Sequence, residues 1–174
     1  MTGTPSTLRL CLLAALAAIG LIGCSHYRLG TEASLSFATL HVAVVKADTL
    51  LPQATALVTT ELREAFIKDG RVRLVDSPED ADAILTVTLD DYARGVAVTR
   101  ADDTGLARRF DLTLYARATL TDQRARQDLF AGRTFVVKRG AFTDSGQIQS
   151  EYQALPLLAT QLAEQVRKAT LEVW

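Results

Sequence analysis

Residues 109–120 alternate without a fault: Phe110, Leu112, Leu114, Ala116, Ala118 and Leu120 fall on one side, Arg109, Asp111, Thr113, Tyr115, Arg117 and Thr119 on the other. Successive side chains of a strand point to opposite faces, so a period of two over this length demands a strand with one dry face and one wet face. Such a strand is stable only inside a sheet whose apolar side is covered by other elements.

The flanking segments supply the neighbours. Leu85, Val87 and Leu89 alternate with Ile84, Thr86 and Thr88, and this strand runs on through Tyr92 towards Val98. Ala101–Gly105 reads as a hairpin loop, Thr121–Gln127 as a polar turn, and 128–138 as the returning strand. A loop at Gly140–Gly146 closes the meander.

Ahead of it, Thr39–Lys46 is a β-branched, apolar and largely buried strand. Ala54, Leu57, Val58, Leu62, Ala65 and Phe66 recur at three- and four-residue steps, which predicts a helix over 52–69. Asp48 or Thr49 caps it, Pro52 suits its first turn, and Gly70 stands where a left-handed C-cap is needed. Residues 71–75 form a short strand and Asp76–Asp80 a turn. The first strand–helix–strand unit is expected to be a parallel crossover. The last element is a second helix, with apolar positions from Tyr152 to Ala169. Ser150 and Gln153 resemble a capping box, and Pro156 kinks or tightens the early turns. The expected fold class is α+β: one mixed four- to five-stranded sheet with two helices packed on one face.

The N-terminus is a different kind of sequence. Residues 1–23 hold a single charged side chain, Arg9, and the run from Leu10 to Ile22 is entirely uncharged. At about 13 residues this run is too short to span a hydrocarbon core but has the length of a signal-peptide h-region. It ends in Leu21-Ile22-Gly23-Cys24, which matches the lipobox of bacterial lipoprotein signals. The expected organisation is a signal peptide over 1–23, a lipidated tether over 24–36 beginning at Cys24, and one domain over 37–174. Several acyl chains hold a protein on a membrane without a transmembrane helix. Cys11 departs with the signal and Cys24 becomes a thioether, so no disulfide remains. By resemblance to enterobacterial sorting rules, Ser25 after the cysteine favours the outer membrane.

The chemistry-bearing residues are sparse. His26 lies in the tether and His41 in a strand, and no Cys/His cluster has metal-ligand spacing. No phosphate-cradling glycine loop follows a strand, and Thr143–Gly146 lacks the strand-to-helix setting of a nucleophile elbow. The acidic pairs Asp90-Asp91 and Asp102-Asp103 are adjacent, and adjacent strand residues point to opposite faces. No active site, metal or cofactor is expected, and the chain is read as a non-enzyme. A net charge of −1 excludes a dedicated nucleic-acid binder, which needs a basic surplus. Basic residues nevertheless gather in the strand region: Arg94, Arg100, Arg108, Arg109, Arg117, Arg133, Lys138 and Arg139. Such groups either contact phosphates or simply solvate a sheet face.

Several segments together resemble one family. Cys24-Ser25-His26-Tyr27-Arg28-Leu29-Gly30 is similar to the mature start of the lipopolysaccharide-assembly lipoproteins (the LptE family), with one residue inserted. Leu62–Val75 is similar to that family's helix-to-strand junction, Asp80-Ala81-Asp82-Ala83-Ile84-Leu85 to the start of its next strand, and Tyr92 to the tyrosine that closes it. Glu151–Ala159 and the terminal Trp174 resemble its last helix. The similarity spans roughly 24–174. It implies a non-enzymatic outer-membrane lipoprotein that plugs a large outer-membrane β-barrel (LptD-like) and helps it insert lipopolysaccharide into the outer leaflet. It also implies contact with lipopolysaccharide through basic residues, for which Arg94, Arg133, Lys138 and Arg139 are the candidates. A generic periplasmic lipoprotein serving as a binding or scaffold module is the alternative, and a lipid-anchored enzyme a third.

Overall fold

The computed structural model describes residues 35–48, 52–99, 107–142 and 147–172. The signal segment, Cys24 and its tether to residue 34, Thr49, the 101–105 loop, Arg100, Thr143–Gly146 and Trp174 lie outside the described residues.

The strands are β1 (Thr39–Val42), β2 (Lys46–Ala47), β3 (Arg73–Leu74), β4 (Ala83–Thr99), β5 (Ala107–Asp122) and β6 (Gln127–Phe142). The helices are α1 (Pro52–Asp69) and α2 (Gln147–Leu171), with a 3₁₀ turn at Pro78–Asp80. One mixed six-stranded sheet runs β3-β1-β4-β5-β6, and β2 also pairs with β4. β1 is parallel to both β3 and β4, while β4, β5 and β6 form an antiparallel meander of long strands.

The expected α+β fold is what forms, with six strands rather than four or five. The sixth strand comes from the division of one expected strand into two. The expected strand 39–46 is in fact two pieces, β1 and β2, both running beside β4. The backbone breaks between them, where the Thr59 hydroxyl on α1 captures the Val45 amide at 3.1 Å. This break leaves Val45 buried and Val44 exposed.

Helix α1 occupies the span that the sequence predicts. Its face of Ala54, Val58, Leu62, Ala65 and Phe66 is buried. Gly70 ends it at φ +74°, its amide donating to the Phe66 carbonyl at 3.1 Å. A left-handed residue at this place is tolerated by glycine at little steric cost.

Helix α2 starts at Gln147, earlier than the capping box suggests. Ser150 is therefore not an N-cap: it sits inside the first turns, and its hydroxyl donates to the Phe142 carbonyl, tying the helix to the end of β6. Pro156 lies within the helix, where the Thr160 hydroxyl donates to its carbonyl.

Strand β6 also runs past the expected end at 138, through Gly140 to Phe142. Gly140 belongs to the strand because the ladder with β5 continues through it, pairing Asp111 with Gly140, Phe110 with Ala141 and Arg109 with Phe142.

Leu85, Val87, Leu89, Leu112, Leu114 and Leu120 of the sheet meet Leu62 and Phe66 of α1 and Leu158, Leu162 and Val166 of α2 in a single core. Both helices thus lie on one face, as expected. Each fully buried leucine contributes about 1.5–3 kcal/mol of transfer free energy, so this layer carries the fold. The opposite face of the meander carries mainly polar side chains, with Val136 and Phe142 also exposed on it.

Candidate functional site

The basic residues of the meander are distributed by one irregularity. The β4–β5 register pairs Leu89 with Ala116 and then Asp91 with Tyr115, leaving Asp90 as an extra residue, a β-bulge. Before the bulge, odd-numbered residues of β4 face the helices; just after it, Tyr92 and Arg94 do. Tyr92 then lies opposite Leu114, and Arg94 opposite Leu112. Leu112 is in turn opposite Arg139 on β6. Arg94 and Arg139 therefore lie in one cross-strand row on the helix side, a strand apart on either side of Leu112.

The bulge also overturns one sequence expectation. Asp90 and Asp91 do not point to opposite faces. Asp90 receives Arg117 at 2.7–2.8 Å through two guanidinium nitrogens, and Arg117 and Tyr115 both belong to the open face. Arg117 also lies 3.7 Å from Asp48. The Asp90 hydrogen bond and charge hold the Arg117 guanidinium more firmly protonated than usual.

Three of the four candidate cations face the helix side and one does not. Arg94 is already engaged, its Nη2 lying 2.6 Å from Glu151 on α2. Beside this pair the Tyr92 hydroxyl is buried without a hydrogen-bond partner. Burial, and next the Glu151 charge, push its pKa up to about 12.

Arg139 lines a cleft of about 270 Å³ between the end of β6 and α2, together with Phe142, Gln153 and Leu157. Arg133 lies over the Phe130 and Phe135 rings at 5.9 and 5.8 Å and borders a second cleft of about 290 Å³, with Gln165, Lys168 and Glu172 of α2. Arg139 stands six positions beyond Arg133, about 20 Å along an extended strand. Lys138 lies on the opposite, open face across from Thr113. The four do not converge on a single point. They mark a basic stretch along β6 and one paired arginine behind it.

Sequence reasoning missed the bulge, Glu151 and the two β6–α2 clefts. The bulge left a trace: two polar residues, Asp90 and Asp91, stand between apolar Leu89 and Tyr92 where strict alternation allows one.

Neither histidine chemistry nor a metal centre is assembled among the described residues. The His41 ring Nδ1 lies 3.1 Å from the Val75 carbonyl, a contact that joins β1 to the segment after β3. No group of three His, Cys, Asp or Glu side chains there is placed to hold a metal ion, and no described helix is long and apolar enough to cross a membrane. What the geometry offers is cations, aromatic faces and strand edge: a surface for binding anions or polypeptide.

Comparison with known proteins gives one family and a set of folds. The model of the lipopolysaccharide-assembly family, LptE, matches residues 37–170. Among solved structures, a protein from Xanthomonas campestris superposes with a TM-score of 0.61 at 16% identity, over 79% of this chain and 85% of that one. A lipoprotein B from Nitrosomonas europaea gives 0.52 at 17% identity, over 79% and 81%. A hypothetical protein from Chlamydia trachomatis gives 0.55 at 11% identity, over 78% and 97%. At these identities the likeness is one of fold. No curated protein matches the chain.

Proposed function

The chain belongs to the LptE family of outer-membrane lipopolysaccharide-assembly lipoproteins, and we propose from that premise that it acts without catalysis, as a plug within a large outer-membrane β-barrel. There it helps the barrel (LptD-like) fold and deliver lipopolysaccharide to the outer leaflet. The family match over 37–170 carries this reading, because it covers nearly the whole α+β domain.

Three features of the chain support it. The lipobox ending in Cys24 provides a lipid anchor, with 1–23 removed as signal and 24–36 as the tether. The domain over 37–174 has a meander face of threonines, Arg117, Asp90 and Asp91, a surface suited to a polar lumen. Arg133, Lys138 and Arg139 have no carboxylate within ion-pairing distance among the described residues. Their charges therefore remain available to lipopolysaccharide phosphates through charge-assisted bonds. Arg94, locked to Glu151, positions the N-terminal turns of α2 and exchanges its partner if it reaches phosphate.

The test is depletion of the protein in its own cell. Surface lipopolysaccharide is expected to fall and the folded barrel to become scarce; normal display of both on depletion would count against the proposal.

A further inference from the structure

We propose that the outer edge of β6 is a strand-addition site for an extended, acidic segment of a partner polypeptide. This goes beyond the assembly role, and it rests on the strand rather than on the family.

β6 is 16 residues long, is irregular around the left-handed Gly132, keeps an unbroken ladder with β5 from residue 133 to residue 142 and, among the described residues, pairs only with β5. Strands usually have about 5–6 residues. An edge of this length presents a row of unpaired N–H and C=O groups, and sheets normally shorten, cover or charge such an edge. Helix α2 packs over the helix-side face of β6, no described strand pairs with its outer edge, and the two clefts lie between this strand and the helix. Arg133 marks one of them and Arg139 the other. On the far face of the strand, Val136 and Phe142 remain exposed at 44% and 61%. A sheet edge flanked by side-chain clefts is the arrangement that accepts a peptide as an added strand, with main-chain bonds for affinity and side-chain clefts for selection.

Charge selects the occupant. The strand carries Arg133, Lys138 and Arg139 against one acid, Asp128, which is held by the Thr121 hydroxyl at 2.6 Å. A second copy of this chain is a poor fit in the register that pairs residues 133–139 with themselves. An antiparallel pair of β6 edges centred on Val136 places Arg133 opposite the other copy's Arg139, and like charges directly opposite destabilise a sheet. A segment with acids opposite residues 138–139 and 133, and β-branched residues opposite 135–137, satisfies both the edge and its charges.

The probe is the fluorescent peptide Asp-Asp-Val-Val-Val-Thr-Asp, titrated by anisotropy against the purified full-length chain in detergent. Saturable binding is expected, weakened at least tenfold by R139E and by R133E, each of which alters an exposed side chain and is checked for an unchanged melting temperature. A peptide with lysine for aspartate is expected not to bind. Two N-methylated peptides separate backbone pairing from simple charge attraction. Methylation of alternate residues in one register abolishes binding, whereas the other register leaves it unchanged. Equal binding by both, no saturable binding, insensitivity to the arginine reversals, or self-association of the chain through β6 would each overturn the proposal. The assay contains neither barrel nor lipopolysaccharide, so its failure leaves the assembly role standing.

Discussion

Replacing Asp82 with alanine opens the point where the chain enters the sheet. Asp82 Oδ2 accepts the amides of Ala38 and Thr39 at 2.9 and 3.0 Å, and Oδ1 meets Arg124 Nη2 at 2.6 Å. The Thr39 hydroxyl completes the clasp: it accepts the Asp82 amide at 2.8 Å and donates to the Asp80 carbonyl at 3.2 Å. D82A leaves the part-buried Thr39 amide without its acceptor, at a cost of about 1–3 kcal/mol. Loss of the exposed Arg124 partner adds at most about 1 kcal/mol. A total near 2 kcal/mol in a domain of this size lowers Tm by about 4–8 °C.

The pH dependence has a definite sign. The two backbone amides, aided by Arg124, hold the Asp82 carboxyl below its ordinary 3.8. A depressed carboxylate contributes stability that is complete above the unfolded value and is lost as pH falls through the folded one. Thermal melts of both proteins should therefore differ most at neutral pH, and the gap should narrow as pH falls below the ordinary 3.8 of an aspartate. Arg124→Ala should move Tm by less than D82A at every pH. An unchanged Tm for D82A at pH 7, or a gap that stays constant down the acid limb, would refute the reasoning.

Other expectations follow from single contacts. L162A empties a fully buried site between α2 and the sheet and should destabilise by about 2–5 kcal/mol in urea unfolding. Y92F removes a buried hydroxyl that has no partner and should be neutral or stabilising by up to about 1 kcal/mol, the reverse of most core changes. C24A should shift the protein from the membrane to the soluble periplasmic fraction on cell fractionation, because the acylation site is gone.

Local chemistry made some elements legible in the sequence. Pro52 and Gly70 bracket α1, and both fall at its observed ends because termini are set by residues with special φ requirements. The alternation through β5 was plain because one face is dry along its whole length. What stayed hidden depends on contacts far away in the chain. The break between β1 and β2 is set by Thr59 on α1. The early start of α2 comes with the Ser150 bond to Phe142. The extension of β6 through Gly140 is set by its pairing with the start of β5, at Asp111, Phe110 and Arg109. The candidate site was legible only as a set of cations. The bulge at Asp90 decides that Arg94 shares a side with Arg139, and alternation alone assigns it to the other face.

The central claim is tested most directly by isolating the Cys24-anchored protein from gently solubilised outer membranes and weighing what comes with it. The proposed function predicts a stable complex of one copy with one large β-barrel. Recovery of the lipoprotein alone, from cells whose surface lipopolysaccharide is unaffected by its depletion, would contradict it.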